Sequence, residues 1–430
     1  MRINVTIMSI LLLIIIPFKV NAQTADYYEI ATWYQFKDAT VTYTFDGYNN
    51  NSSKQLSVAL PLFDNFNFKI TLCTITDWIN DWTPLQQAAN NGHEISSLTV
   101  THNDLSKQDL GSQEKELKQS QSIINSYITS AKCVTLAYPY CITGDLALIQ
   151  KYYIAGRKCN GAVESSNPDD LYGISSIITG SEGAVKTAQD LNNKVSSARS
   201  SKGWCVFLIH GIDNDGGYSP IPSSEISSHL EYMNSQLADY WIATFADVVK
   251  YIKERNNISL SETKISPDSL RLTVSDNLDN TIYYHPITIR RQLPENWSSV
   301  NIVQNDQPVE FGIKQINSVN YIIFDVVPDE GDIILTNKTE NALKPHRDNN
   351  SKDTEAQFAD ENPVLTIPET FFIKLCSLAY DINDVGFAYL NTQKAITEIN
   401  YNKLSDQKVY IYEITDEKTR ISELKKDRIT

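Results

Sequence analysis

The chain has 430 residues, 41% of them hydrophobic and 21% charged, which suits a globular protein of two or three domains with ample core. With only 16 Gly and 15 Pro it is neither collagen-like nor a disordered tract as a whole. The formal net charge of −15 repels a phosphate backbone, so nucleic acid is not an expected partner.

At the N-terminus, Arg2 precedes a single apolar run over 7–17 (IMSILLLIIIP), followed by small residues at Val20-Asn21-Ala22. The run is too short to span a bilayer and matches the apolar region of a signal peptide. Residues 1–22 are therefore expected to be removed before Gln23, placing the protein in the periplasm, at the cell surface or outside the cell. No later segment approaches 18 apolar residues, so no membrane span is expected. Export permits disulfides. Of the six cysteines, Cys73 and Cys205 sit in apolar runs and read as buried thiols, whereas Cys133, Cys141 and Cys159 lie near strand ends. Cys141–Cys159 is the expected pair.

From residue 39 to 255, short β-rich runs alternate with helical stretches. Strands are predicted at 39–45 (ATVTYTF), 68–75, 132–138 and 204–210, all rich in Val, Ile, Thr or aromatics. Helices are predicted at 53–64, 83–91, 105–128, 184–198 and 223–238. This alternation predicts an α/β fold with a parallel sheet or barrel, in which chemistry gathers at the C-terminal ends of the strands. Residues 266–340 change character to strands joined by Asn, Asp, Gly and Pro turns, predicting a small all-β sandwich. Residues 344–362 are polar and charged and read as a linker. The pattern over 363–430 assigns no structure.

Four strand-end segments carry the candidate chemistry: Thr44-Phe45-Asp46-Gly47, the stretch from Gly92-His93-Glu94 through Leu98 to His102, Tyr138-Pro139-Tyr140-Cys141, and Leu208-Ile209-His210. A strand-end Asp alone is more often a turn former, and a lone His is more often structural than catalytic. No G-x-S-x-G elbow, H-E-x-x-H helix, G-x-G-x-x-G loop or P-loop occurs. Aromatic residues, among them Trp78, Trp82, Tyr138, Tyr140 and Tyr218, fall after strands, where they either face a glycan or pack the barrel rim. Arg157 could pair with an acid such as Asp46, pair with a substrate carboxylate, or lie on the surface.

In order and spacing, the four segments resemble the polysaccharide deacetylase (NodB-homology) family, carbohydrate esterase family 4. That family has T-F-D-D-G at one strand end, then G-H-E-[IV]-x-x-H-T-x-x-H, a Pro-aromatic loop and a late L-x-H. The resemblance spans roughly residues 39–255 and implies a distorted (β/α) barrel over 23–258, with the sandwich appended. It further implies a divalent metal, zinc, held by an Asp and two His, a second Asp as general base, the L-x-H histidine as general acid, and a backbone N–H of the Pro-aromatic loop at the oxyanion. Carried over by position, His210 is the acid, Tyr140 marks the oxyanion loop and His102 is the second metal histidine.

This chain departs from that pattern at two positions. Asp46 is followed by Gly47, so Asp46 serves as ligand or as base but not both, and Leu98 stands where the first metal histidine belongs. The motifs alone do not assemble a three-ligand zinc site. His93, and the amides after Asp46, are the nearest substitutes. Asp213 and Asp215 read as a Gly-rich turn. The expected function is a secreted deacetylase-like hydrolase removing N- or O-linked acetyl groups from a polysaccharide or oligosaccharide through Asp46, His210 and Tyr140. The alternative is a glycan-binding protein that keeps the scaffold without the activity.

Overall fold

The computed structural model describes residues 27–50, 53–297, 299–338, 409–415 and 418–424. The expected signal peptide (1–22) and polar linker (344–362), and most of 363–430, lie outside them. The chain divides into two compact units after residue 342.

The first unit begins with β1 (Tyr28–Ile30). The barrel strands follow: β2 (Ala39–Asp46), β3 (Thr71–Thr74), β4 (Glu94–Ser97), β5 (Thr135–Ala137), β6 (Ala155–Arg157), β7 (Ile177–Ile178), β8 (Trp204–Ile209) and β9 (Tyr240–Ile242). They form one parallel sheet in the order β6-β5-β4-β3-β2-β8-β7, with β9 also pairing β2. Its helices are α1 (Leu60–Asp64), α2 (Thr83–Asn90), α3 (Leu110–Tyr127), α4 (Leu146–Tyr152), α5 (Ala188–Ser201), α6 (Ser223–Ser235) and α7 (Phe245–Asn257). The curled parallel sheet with helices packed on it is the expected α/β barrel.

All eight residues of β2 are buried, as a central parallel strand covered on both faces requires. Its alternation sorts the side chains. Val41, Tyr43 and Phe45 join the main core with Phe63 and Phe207. The hydroxyls of Thr40, Thr42 and Thr44 donate to the carbonyls of Trp241, Ala243 and Phe207, which removes the cost of burying them.

Two predicted helices differ in detail. The stretch 53–64 is a π-helical turn, Gln55–Ala59, running into α1. The stretch 105–128 breaks after a 3₁₀ turn, because Asp109 caps α3 through Oδ1 to the Ser112 N–H (3.0 Å). The short strands β4, β6, β7 and β9 carry too few residues to show a period.

The sandwich strands are β10 (Ser259–Ser266), β11 (Ser269–Ser275), β12 (Ile287–Gln292), β13 (Val300–Gln304), β14 (Gln307–Pro308), β15 (Phe311–Ile316), β16 (Val319–Val326) and β17 (Ile333–Asn337). They form two antiparallel sheets, β1-β12-β16-β15 and β10-β11-β17-β13-β14, around a core that includes Leu272, Ile289, Ile302, Phe324 and Leu335. The antiparallel region takes in β10 from Ser259 and, from the far end of the chain, β1; the pattern over 266–340 contains neither. In the second unit, β18 (Val409–Thr415) and β19 (Lys418–Leu424) form an antiparallel hairpin.

Candidate functional site

A cavity of about 750 Å³ opens where the parallel strands end, and Asp46, His102, Tyr140 and His210 all line it. The position follows from the fold, since the loops after parallel strands gather on one face. Trp78 and Tyr218 form part of the wall and are partly exposed.

Asp46 ends β2. Both its oxygens accept from Nη2 of Arg157 at the end of β6, at 2.7 and 2.5 Å, and Arg157 Nη1 donates to Ser176 Oγ at 3.0 Å. The two side chains are 8% and 2% exposed, so water screens this ion pair little. Of the options open for Arg157, the structure realises the pairing with Asp46. Gly47 turns the chain away at φ +71°, a conformation that an L side chain adopts only with strain. The thiol of Cys73 is buried near Asp46; burial and the Asp46 charge push its pKa well up.

His210 follows β8, with its ring edge-to-face with Tyr218 at 5.0 Å. Its Nδ1 is buried without a hydrogen-bond partner among the described residues. Burial lowers its pKa, assisted by Arg157 and His102 and opposed by the Asp46 charge. The ring is thus neutral at neutral pH and accepts a proton before it can donate one. Burial likewise lowers His102 against the Asp46 charge. The His102 ring lies 4.9 Å from that of Tyr140 and 6.0 Å from that of Trp78. The loop bearing His102 is organised by Glu116 of α3, which accepts from the N–H groups of Val100 (2.8 Å) and Thr101 (2.9 Å) and from the Thr101 hydroxyl (2.6 Å).

Tyr140 and Cys141 both have positive φ (54° and 62°), in the turn Pro139–Cys141. The Cys141 N–H is tied to the Tyr138 carbonyl, and Tyr140 stands exposed at the cavity wall. A Cys141–Cys159 disulfide joins this turn to the segment leaving β6, pairing the cysteines expected. Cys73, Cys133 and Cys205 are free and buried.

The donor set does not fit a divalent metal. Leu98 is buried in an apolar cluster with Cys73, Ile75 and Ala137, at the place where the family pattern has its first metal histidine. Asp46 is engaged by Arg157, and no group of three His, Cys, Asp or Glu among the described residues is arranged to hold an ion. The substitute His93 stands elsewhere: Nδ1 accepts from the Ile70 N–H (3.1 Å), so Nε2 carries the proton and donates to Asp64 (2.9 Å). Asp213 and Asp215 hold a turn through the N–H groups of Ser223 and Gly217, and Asp215 also reaches the cavity. Trp82 is buried against Tyr127, their rings stacked at 4.9 Å, and Tyr138 is buried with its hydroxyl on the Tyr172 carbonyl.

Two residues of the site escape sequence reading. Glu116 was foreshadowed only by a carboxylate on the apolar stripe of α3, beside Leu117, Ser120 and Ile124. Gln55 is a buried amide in an otherwise apolar helix-like run, and its carbonyl partners are backbone atoms that no motif displays.

Residues 34–152 match the family described as polysaccharide deacetylase. A gellan lyase from a Bacillus species is 28% identical over 332 residues, covering 71% of this chain; the chain spans only 13% of that relative's length. Among solved structures, a polysaccharide deacetylase from Mycobacterium smegmatis is similar at 13% identity and a TM-score of 0.41, covering 56% of this chain and 98% of that one. A family 4 acetyl xylan esterase from Clostridium thermocellum, in complex with a cobalt ion, is similar at 16% identity and a TM-score of 0.37, covering 49% and 89%.

Proposed function

We propose that this protein is an exported hydrolase that removes acetyl groups from a polysaccharide or oligosaccharide, using Asp46, His210 and the Tyr140 turn without a three-ligand metal centre. The observation that carries this reading is the convergence in one cavity of an anion fixed by Arg157, a neutral imidazole and the Tyr140 turn. His210 takes a proton from water as the water oxygen attacks the acetyl carbonyl, while the Asp46 charge stabilises the imidazolium. The Tyr140 N–H donates to the carbonyl oxygen as it gains charge. When the tetrahedral intermediate collapses, the bond to the sugar oxygen or nitrogen breaks, the imidazolium returns its proton to that leaving atom, and acetate departs. Trp78, Tyr140 and Tyr218 offer ring faces to sugars, and His102 contributes a polar ring edge to the same wall.

The apolar cluster around Leu98 favours a second reading, in which the cleft binds an acetylated glycan and hydrolyses nothing. One experiment separates the two. Acetate release from N-acetylated and O-acetylated oligosaccharides is measured for wild type and His210→Ala, with binding to the same sugars followed by calorimetry. Release abolished in the variant with binding retained supports the hydrolase. Equal release by both refutes the role of His210, and binding without release by either establishes the second reading.

A further inference from the structure

We infer that Gln55 is a positioning residue, a side-chain amide that completes the β2–β8 ladder and thereby fixes Asp46 against His210. The inference rests on the hydrolase reading for its kinetic consequence, but its geometry stands alone. The parallel pairing of β2 with β8 ends at Phe45 opposite Ile209, so the carbonyls of Asp46 and His210 are the first beyond the ladder. On its other side Asp46 stays in register with Cys73 of β3. Across the gap between β2 and β8, Gln55 Nε2 donates one hydrogen to the Asp46 carbonyl at 2.8 Å and the other to the His210 carbonyl at 2.9 Å.

Because both partners are acceptors, only the nitrogen of the amide can face them, and the orientation of the side chain is settled. Oε1 then points away, buried and without a partner among the described residues. Such an arrangement is held by its surroundings against the cost of the orphaned oxygen. Gln55 opens a π-helical turn, a local departure from α geometry that often marks functional positions. The turn is anchored at its start, where the Lys54 N–H donates to Asp215 (3.1 Å), another cavity residue. One amide thus spans the two strand ends whose side chains line one cavity. Releasing it lets the two backbones separate, and a displacement of about 1 Å costs a reaction up to roughly 10²-fold.

The test uses the full chain and two variants. Gln55→Met keeps the length and removes both donors; Gln55→Asn keeps the amide but is one methylene short of reaching both carbonyls. For each, acetate release is resolved into kcat and KM, thermal stability is followed, and the ring resonances of the histidines are recorded at one fixed pH. The expected result is a fall in kcat of about 10- to 100-fold with KM within about twofold. It comes with displaced His210 ring resonances and unmoved resonances of His93 and His229. A variant that loses thermal stability yet keeps kcat and the His210 resonances overturns the inference. If wild type releases no acetate, the hydrolase reading fails by itself, and the His210 resonances of the two variants still decide whether the clamp exists.

Discussion

Removing the guanidinium from the buried pair at the cavity floor is the most direct challenge to this account. In Arg157→Met, the Asp46 carboxylate loses a partner that touches both its oxygens, at 2.7 and 2.5 Å, and stays where water reaches only 8% of its side chain. Ser176 Oγ loses a donor as well. Deleting one member of such a pair costs about 3–5 kcal/mol, because a charge remains buried and uncompensated. Against a total stability of about 5–15 kcal/mol this is a large fraction, so urea unfolding is best followed at low temperature with the slope fitted freely. The companion Asp46→Asn, Arg157→Met removes both charges at nearly constant volume. It should recover at least about 2 kcal/mol of the loss, a coupling that a double-mutant cycle reads directly. A loss below about 1 kcal/mol in Arg157→Met, or additivity in the cycle, would refute the claim that this is a dry, mutually dependent pair.

Acetate release should rise with pH along a limb set by His210, with a midpoint below the ordinary imidazole value of 6.5, because burial lowers that pKa, and should persist through neutrality. A midpoint above 6.5 in the rate profile contradicts this. Zinc at micromolar concentration, or a chelator, should change neither acetate release nor melting temperature; one tightly bound zinc per chain, lost in His102→Ala, contradicts the donor-set argument. Leu98→His with Gly47→Asp should create zinc affinity while lowering stability by about 1–3 kcal/mol, through a polar ring among Cys73, Ile75 and Ala137 and a side chain at φ +71°. Absence of any zinc affinity in the folded variant overturns the placement of those two positions. Between α7 and the loop before β12, burial raises Glu254 to about 8, and the His285 N–H donates to it at 2.8 Å. Its folded form holds a proton that the unfolded chain releases near 4.5, so it lowers stability progressively from about pH 4.5 to 8. Glu254→Gln should flatten the urea-measured stability over that window relative to wild type, and an identical pH dependence disproves it.

The alternation of β-rich runs and helical stretches made the α/β class legible as a parallel sheet or barrel, and the resemblance in motif order and spacing pointed to the barrel and to the strand ends that carry Asp46, His102, Tyr140 and His210. Position near strand ends identified the Cys141–Cys159 pair. Arg157 was seen as a possible partner of Asp46 but not distinguished from a surface residue, since β6 is three residues long and shows no period. Gln55 and Glu116 were invisible for a different reason: they act on backbone N–H and C=O groups, and such partners carry no residue identity. Leu98 reads as a missing ligand in the sequence. Only the packing shows that Cys73, Ile75 and Ala137 have closed around it, making the change a built apolar contact and not a vacancy.

The pairing of β1 with β12 has a consequence for how the molecule can be made. Glu29 bonds Arg290 across 261 residues, and Tyr28, Glu29 and Ile30 form the edge of a sheet whose other strands are encoded after the whole barrel. A ribosome or translocation pore delivers the N-terminal segment first, yet its docking partner β12 emerges only after the whole barrel, so this sheet closes late in delivery. Any fragment cut after α7 leaves β1 with nothing to pair, and any fragment begun after β1 bares the backbone of β12 as an unprotected edge. Barrel and sandwich are therefore coupled through β1, so a truncation on either side of it is felt by both.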